Sequence, residues 1–305
     1  IVRTRTRCDE ALLGGTPVRA VASATIGTDH LDCDYLARSG IAWANAAGCN
    51  AASVAQYIES ALLHLGLKHH LTLRGKVLGI IGLGNVGSRV ARLGAKLGMS
   101  VLANDPPLAR GGRKGLAGLS ELLAQADFVT LHVPLERGGD FPTCELAGAD
   151  FLRHLKPGAF LLNTSRGEVV DGGALKAALR SGQLAGAVLD VWENEPALDV
   201  ELLKLADYGT PHIAGYSSDG KANGTAAAVR FVAKVFGVGA LADFYPAGLP
   251  VRPQVAEPLP EEELARLAHI ADTYYDIRID DAALRAAPGR FEELRNHYRD
   301  RREAP

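Results

Sequence analysis

The chain has 305 residues, 47% of them hydrophobic and 22% charged, with a formal net charge of −2. That length holds two or three domains with real cores, and the composition excludes disorder on a large scale. There is no long basic block and no apolar run of bilayer-spanning length, so no nucleic-acid partner and no membrane are expected, while small anionic ligands need only a few local arginines.

Cys8, Cys33, Cys49 and Cys144 form neither a C-x-x-C pair nor a His/Cys cluster at metal-ligand spacing. They read as reduced thiols of a cytoplasmic protein without a metal site. The chain opens at Ile1, on residues that read as a strand already under way, so upstream sequence is expected.

Residues 1–50 alternate short apolar runs (Val18–Ala22, Ile41–Ala44) with helical stretches around Cys8–Leu13 and Leu31–Arg38, the second closed by Gly40. This is βαβ grammar and predicts a parallel sheet. The polar loop Thr25–His30 between them has two readings of equal standing. It collects a ligand at a strand's carboxyl end, or Thr28 or Asp29 caps the next helix. From Ala51 to Leu65, Val54, Ile58, Ala61, Leu62 and Leu65 fit one long helix leading to a second sheet.

That sheet opens with Val77–Ile81, followed by Gly82, Gly84 and Gly87 in the order G-x-G-x-x-G. The helix that follows carries Val86, Val90, Leu93 and Leu97 and stops at Gly98; a second apolar run then ends at Asp105. One glycine makes the tight turn, one lets a pyrophosphate approach the backbone and one packs helix on strand, while Asp105 stands where an acid holds the adenosine ribose. Glycines also populate ordinary βα turns; the strand, helix and acid together favour a dinucleotide.

Further βα units follow: Asp127–His132 after a Ser120-capped helix, Ala159–Asn163, a helix over Asp171–Ser181 stopped by Gly182, and Ala185–Asp190. About six strands in a doubly wound sheet are predicted. A helix over Asp219–Phe236 ends at Gly237, and a proline-rich linker then leads to charged helical stretches at Glu261–Ala271 and Arg290–Arg302.

Three polar spots lie beyond the later strands: Asn163–Gly167, Asp190–Pro196 and Thr210–Tyr216. In a doubly wound sheet they converge on the crevice of the glycine loop. Arg166 offers a planar, permanently charged fork for a carboxylate. His212 exchanges a proton near neutrality, and Glu195 would fix its tautomer. Singly, these are a surface arginine, a turn glutamate and a core histidine; behind a dinucleotide fingerprint they make a reaction centre.

The fingerprint, N-x-x-R-G, L-D-V-W-x-x-E-P and P-H-I-A-G over residues 25–216 resemble the D-isomer-specific 2-hydroxyacid dehydrogenases. The resemblance implies Arg166, Glu195 and His212 as catalytic residues and NAD as cofactor. It places the cofactor against Gly82, Gly84, Asn85, Val86, Gly87, Asp105, Val133, Ser165, Asp190 and Gly215. The charge of Asp105, followed by Pro106 and Pro107, favours NAD over NADP.

A narrower resemblance is carried by Ala24–His30, residues 47–51, Gly209–Tyr216 and the tail residues Tyr275–Arg278, Asp280, Asp281, Leu284 and Arg285. It points to a branch of that family that oxidises the C2 hydroxyl of 4-phospho-D-erythronate on the way to vitamin B6. The implied fold is α/β: a Rossmann-type doubly wound parallel sheet (53–214), a flavodoxin-like substrate domain (1–52 and 215–243) and a C-terminal α+β dimerisation module (244–305), in a homodimer. Thr4, Thr25 and Tyr216 would line the substrate pocket, and Arg3 is an added candidate. Arg278 and Arg285 read better as solvated charges than as phosphate ligands. Against the family pattern, the first strand and helix are absent, the tail stops early, and Val133 stands where a threonine is frequent. Other 2-hydroxyacid dehydrogenases, of 3-phosphoglycerate or glyoxylate/hydroxypyruvate type, and a non-catalytic NAD(H) sensor are the alternatives.

Overall fold

The computed structural model describes residues 1–305. Its first fifty residues form α1 (Glu10–Leu13), β1 (Ala20–Ala22), α2 (Cys33–Arg38) and β2 (Ala42–Ala44). β1 and β2 pair in parallel around a small core of Cys8, Leu13, Val21, Leu31, Tyr35, Leu36 and Ile41. Asp32, not Thr28 or Asp29, caps α2 by accepting from the Tyr35 N–H at 2.8 Å. The Thr25–His30 loop is thereby left to other work.

Helix α3 (Ala51–Lys68) carries the chain into the larger sheet. There follow β3 (Val77–Ile81), α4 (Asn85–Lys96), β4 (Ser100–Asn104), α5 (Pro106–Arg110), α6 (Leu119–Gln125), β5 (Phe128–Leu131), α7 (Ala149–His154) and β6 (Ala159–Asn163). Then come α8 (Gly172–Ser181), β7 (Leu184–Leu189), α9 (Val200–Leu205) and β8 (Tyr208–Gly209). All six strands are parallel, in the order β4-β3-β5-β6-β7-β8. The winding reverses between β3 and β5, where open α/β sheets bind their ligands.

The apolar runs are continuous because both faces of this sheet are covered. Leu78, Ile80, Phe128, Phe160, Leu162 and Val188 face α3 and α4; the alternate residues Val129, Leu131, Leu161, Ala187 and Leu189 face α6–α9. Helix α6 begins one residue before Ser120, with Gly118 at its N-cap and no side-chain bond there. The expected serine cap is therefore absent: Ser120 already lies inside the first turn.

Helix α10 (Ser218–Phe236) returns to the small sheet, packing Ala228 on Ala22 and Ala24. Residues 244–305 hold α11 (Glu263–Tyr274), α12 (Ile277–Ala286), α13 (Phe291–Asn296) and no strand, so the expected α+β character is corrected to helical. The prolines at 246–260 lack the N–H that a strand ladder needs, and the apolar residues beyond them recur at helical spacing. Nor does this segment stand apart. Leu284 and Phe291 are fully buried in the core under α6–α9, each worth about 1.5–3 kcal/mol of apolar burial. Helix α11 lies on α3, where His64 bonds Asp272 at 2.8 Å and Tyr57 stacks on Tyr275. His64, Asp272 and Asp276 could hold a metal, but Arg278 already pairs with both carboxylates.

Candidate active site

β6 ends at Asn163, whose side chain folds the next loop. Its Oδ1 accepts from the Ser165 N–H at 3.0 Å and hydroxyl at 2.7 Å, and its Nδ2 donates to Arg166 O at 2.9 Å. Ser165, expected against the cofactor, thus has its buried hydroxyl engaged in shaping this turn. Arg166 donates through Nη1 to Ser165 O at 2.8 Å and through Nη2 to Asp29 Oδ2 at 3.1 Å, which ties the loop after β6 to the Thr25–His30 loop. A side chain at Gly167 would strike Trp192, its Cβ 2.0 Å from the Trp192 carbonyl oxygen. The arginine loop therefore sits directly on the turn that carries Glu195.

Glu195 Oε2 lies 2.7 Å from His212 Nδ1, and Oε1 accepts from the Trp192 N–H at 3.0 Å. Burial raises the Glu195 carboxyl, but the hydrogen bond and charge of His212, the Trp192 N–H and Arg295 outweigh it and hold the group below the usual carboxylate range. With Nδ1 engaged, Nε2 is the ring nitrogen left for a substrate. His212 has φ +56°, a strained region for a side chain of this size that costs on the order of 1–3 kcal/mol.

Asp190 holds that strained turn. Its buried carboxylate accepts from Thr210 Oγ1 and the Ile213 N–H, both at 2.7 Å, and from the Ala214 N–H at 2.9 Å, while its carbonyl accepts from the His212 N–H. Burial pushes its pKa up against the lowering effects of His212 and these donors. Asp190, expected to face the nicotinamide, carries the histidine turn on these three donors, and its Oδ2, with one of them, keeps a lone pair for a further donor. Gly215 is likewise fixed by packing: a Cβ there would lie 2.1 Å from Asn50 Nδ2 at the start of α3.

The glycine loop has the geometry its spacing predicts. Gly82 has φ +90°, and a Cβ there would lie 2.5 Å from His132 O; one on Gly87 would lie 2.0 Å from Gly82 O. Gly84 differs, because its Cβ position faces open space, and α4 starts there with no side-chain cap on its free N–H groups. Uncapped donors beside open room suit a pyrophosphate, with Asn85 and Val86 in the first turn. Asp105 accepts from the Leu83 N–H at 2.8 Å and the Leu108 N–H at 2.9 Å, one bond per oxygen, which leaves each a lone pair for ribose hydroxyls. Val133 lies against Gly82 and offers apolar and backbone contact alone. Beside it is His132, which the sequence did not single out. Its ring sits between Thr130 Oγ1 at 3.0 Å and Thr164 Oγ1 at 3.3 Å, and burial pushes its pKa down to about 3.

Thr25 Oγ1 lies 2.8 Å from Ser23 Oγ, itself 3.0 Å from His30 Nε2. Arg3 and Thr4 stand exposed in a turn closed by Thr6 N–H to Arg3 O, and Arg5 donates to Asn296 on α13 at 2.8 Å. Through α13 the C-terminal segment reaches the site: Arg295 Nε donates to Tyr216 Oη at 3.2 Å, and its Nη1 is 3.6 Å from Glu195 Oε2. Nothing in the sequence pattern marked Arg295. Arg278 and Arg285 are held elsewhere, Arg285 by Asp281 and by the carbonyls of Leu203 and Ala206, so neither is a free phosphate ligand.

Comparison with known proteins places the chain in a family. The family model of the D-isomer specific 2-hydroxyacid dehydrogenase, NAD binding domain, matches residues 56–214, and a domain of unknown function, DUF3410, matches residues 253–305. Erythronate-4-phosphate dehydrogenase of Bacteroides fragilis is 45% identical over 99% of this chain and 85% of its own length. That of Escherichia coli is 46% identical over 99% of this chain and 81% of its own. Among solved structures, D-lactate dehydrogenase from Aquifex aeolicus, complexed with NAD and lactic acid, superposes with a TM-score of 0.61 at 29% identity, covering 81% of this chain and 86% of that one.

Proposed function

Because the chain belongs to the D-isomer specific 2-hydroxyacid dehydrogenase family, we propose that it oxidises the C2 hydroxyl of 4-phospho-D-erythronate to the 2-oxo acid with NAD, a step of vitamin B6 biosynthesis. The observation that carries the reading is the 2.7 Å Glu195–His212 bond beside Arg166, at the strand ends that carry the glycine loop. The 45% relatives narrow the substrate.

In this reading Arg166 binds the substrate carboxylate bidentately and draws charge toward the developing C2 carbonyl. His212 Nε2 takes the hydroxyl proton, and Glu195 keeps the ring oriented and favours the imidazolium that forms. NAD, held by Gly82–Gly87 and Asp105, supplies the acceptor for the hydride leaving C2. Thr4, Thr25, Arg3 and Tyr216 are the proposed substrate contacts.

The domains we propose are 1–52 with 215–243 for substrate, 53–214 for NAD and 244–305 as the C-terminal segment. A homodimer is part of the proposal, supported by the exposed apolar Phe236, Val238, Leu241 and Val251 around the end of α10 and the run beyond it. Light scattering tests it.

The decisive measurement is NADH appearance with 4-phosphoerythronate against 3-phosphoglycerate. A clear preference for the four-carbon acid is expected; equal rates sink the narrow assignment, and no turnover with any 2-hydroxy acid favours an NAD(H) sensor. Arg166→Ala and His212→Ala are each expected to abolish turnover while NADH still binds.

A further inference from the structure

A four-carbon acid with a carboxylate at one end and a phosphate at the other calls for a cation at each end. Arg166 stands beside Asp29. A second arginine, Arg295, stands at Glu195 and Tyr216.

Of the other arginines of the C-terminal segment, Arg252, Arg278, Arg285, Arg299 and Arg302 each pair with an aspartate carboxylate, Arg290 pairs with Glu293, and Arg266 donates to the Glu261 carbonyl. Arg301 donates to the carbonyls of Ser53 and Ala214 and keeps Nε and Nη1 without a partner, but at 4% exposure it is closed to a ligand. The sole hydrogen bond of Arg295 is the one from Nε to the neutral Tyr216 hydroxyl, and its Nη1 stays 3.6 Å from Glu195, beyond hydrogen-bond length. Its two Nη groups therefore keep their donors, in the fork that matches phosphate oxygens. The side chain is 27% exposed, enough to meet a ligand without being freely solvated. Arg5, which has no carboxylate partner either, is bonded to the adjacent Asn296, so a second cation stands at the same rim.

We propose that Arg295 recognises the phosphate end of the substrate and sets the preference for phosphorylated over unphosphorylated 2-hydroxy acids. This gives the C-terminal segment a direct part in specificity. The inference rests on the functional reading above.

The test is the ratio of kcat/KM for 4-phospho-D-erythronate to that for D-erythronate, in the native enzyme, Arg295→Gln and Arg295→Lys. The ratio is expected to fall on the order of a hundredfold in the glutamine variant, chiefly through KM, and about tenfold in the lysine variant, which keeps charge without the fork. If the native enzyme prefers the phosphorylated acid and the ratio stays within about threefold in both variants, Arg295 acts through Glu195 and the inference is overturned. A native enzyme with no such preference overturns the functional reading instead. NADH binding, followed by fluorescence, is expected to persist; its loss in both variants also counts against a role at the substrate rim.

Discussion

Arg166 Nη2 is held 3.1 Å from Asp29 Oδ2, so the cation proposed to bind the substrate carboxylate already has a carboxylate partner from the Thr25–His30 loop. Asp29 is 61% exposed, and an ion pair so open to water is worth at most about 1 kcal/mol. A substrate carboxylate displaces or joins it at small cost.

Asp29→Asn is accordingly expected to lower KM about two- to fivefold at low salt, by removing a like charge from the carboxylate site, and to lose that advantage near 0.5 M salt. Steady-state kinetics at two ionic strengths check this. A raised KM would mean that Asp29 orients the guanidinium more than it competes for it.

Glu195 acts on His212 by position and by charge. In Glu195→Gln the hydrogen bond to Nδ1 can persist but the negative charge is gone, so kcat is expected to fall on the order of 10²–10³. The loss is expected in kcat, with KM within about threefold, because the ring acts on the proton in flight and not on the bound acid. A raised KM at unchanged kcat would assign Glu195 a part in substrate binding instead.

What was legible beforehand follows local physics. The strand at Ala159–Asn163 and the helix stop at Gly182 were readable because an apolar run and a glycine act within a few residues. The Glu195–His212 pairing was readable because each follows a strand end of the same sheet. Arg295 was not: it meets Tyr216, 79 residues away, through a fold no periodicity encodes. The part Asp190 plays in the 210–214 turn was out of reach for a related reason, since its spacing says that it reaches the crevice but not which backbone N–H groups donate to it there. Helix α12 escaped because its charged residues hide a short apolar stripe of Ile277 and Leu284.

The glycine loop separates binding from folding. Gly84→Ala meets no atom within 4 Å and sits at φ −75°, so the fold is expected to survive with Tm within a few degrees, while NADH affinity falls about tenfold or more as the methyl enters the pyrophosphate space. Gly87→Ala would drive a methyl to 2.0 Å from Gly82 O and is expected to lose several kcal/mol of stability together with binding. Thermal melts and NADH titration of the two variants distinguish the roles; equal melting losses would contradict them.

His132 predicts an acid weakness of the folded state. In the unfolded chain a histidine protonates near pH 6.5, whereas in the fold burial keeps this ring neutral down to about 3. Between those values the unfolded chain binds one more proton, so this group lowers stability as pH falls, by about 1.4 kcal/mol per unit. The penalty is absent above pH 7 and complete below pH 3. His132→Gln keeps polar atoms toward Thr130 and Thr164 but cannot titrate in this range. Urea unfolding at pH 6.5, 5.5 and 4.5 is expected to give the variant a shallower decline than the native chain by about that slope. Carboxylates affect both proteins alike, so parallel declines would mean that His132 is free to protonate in the folded state.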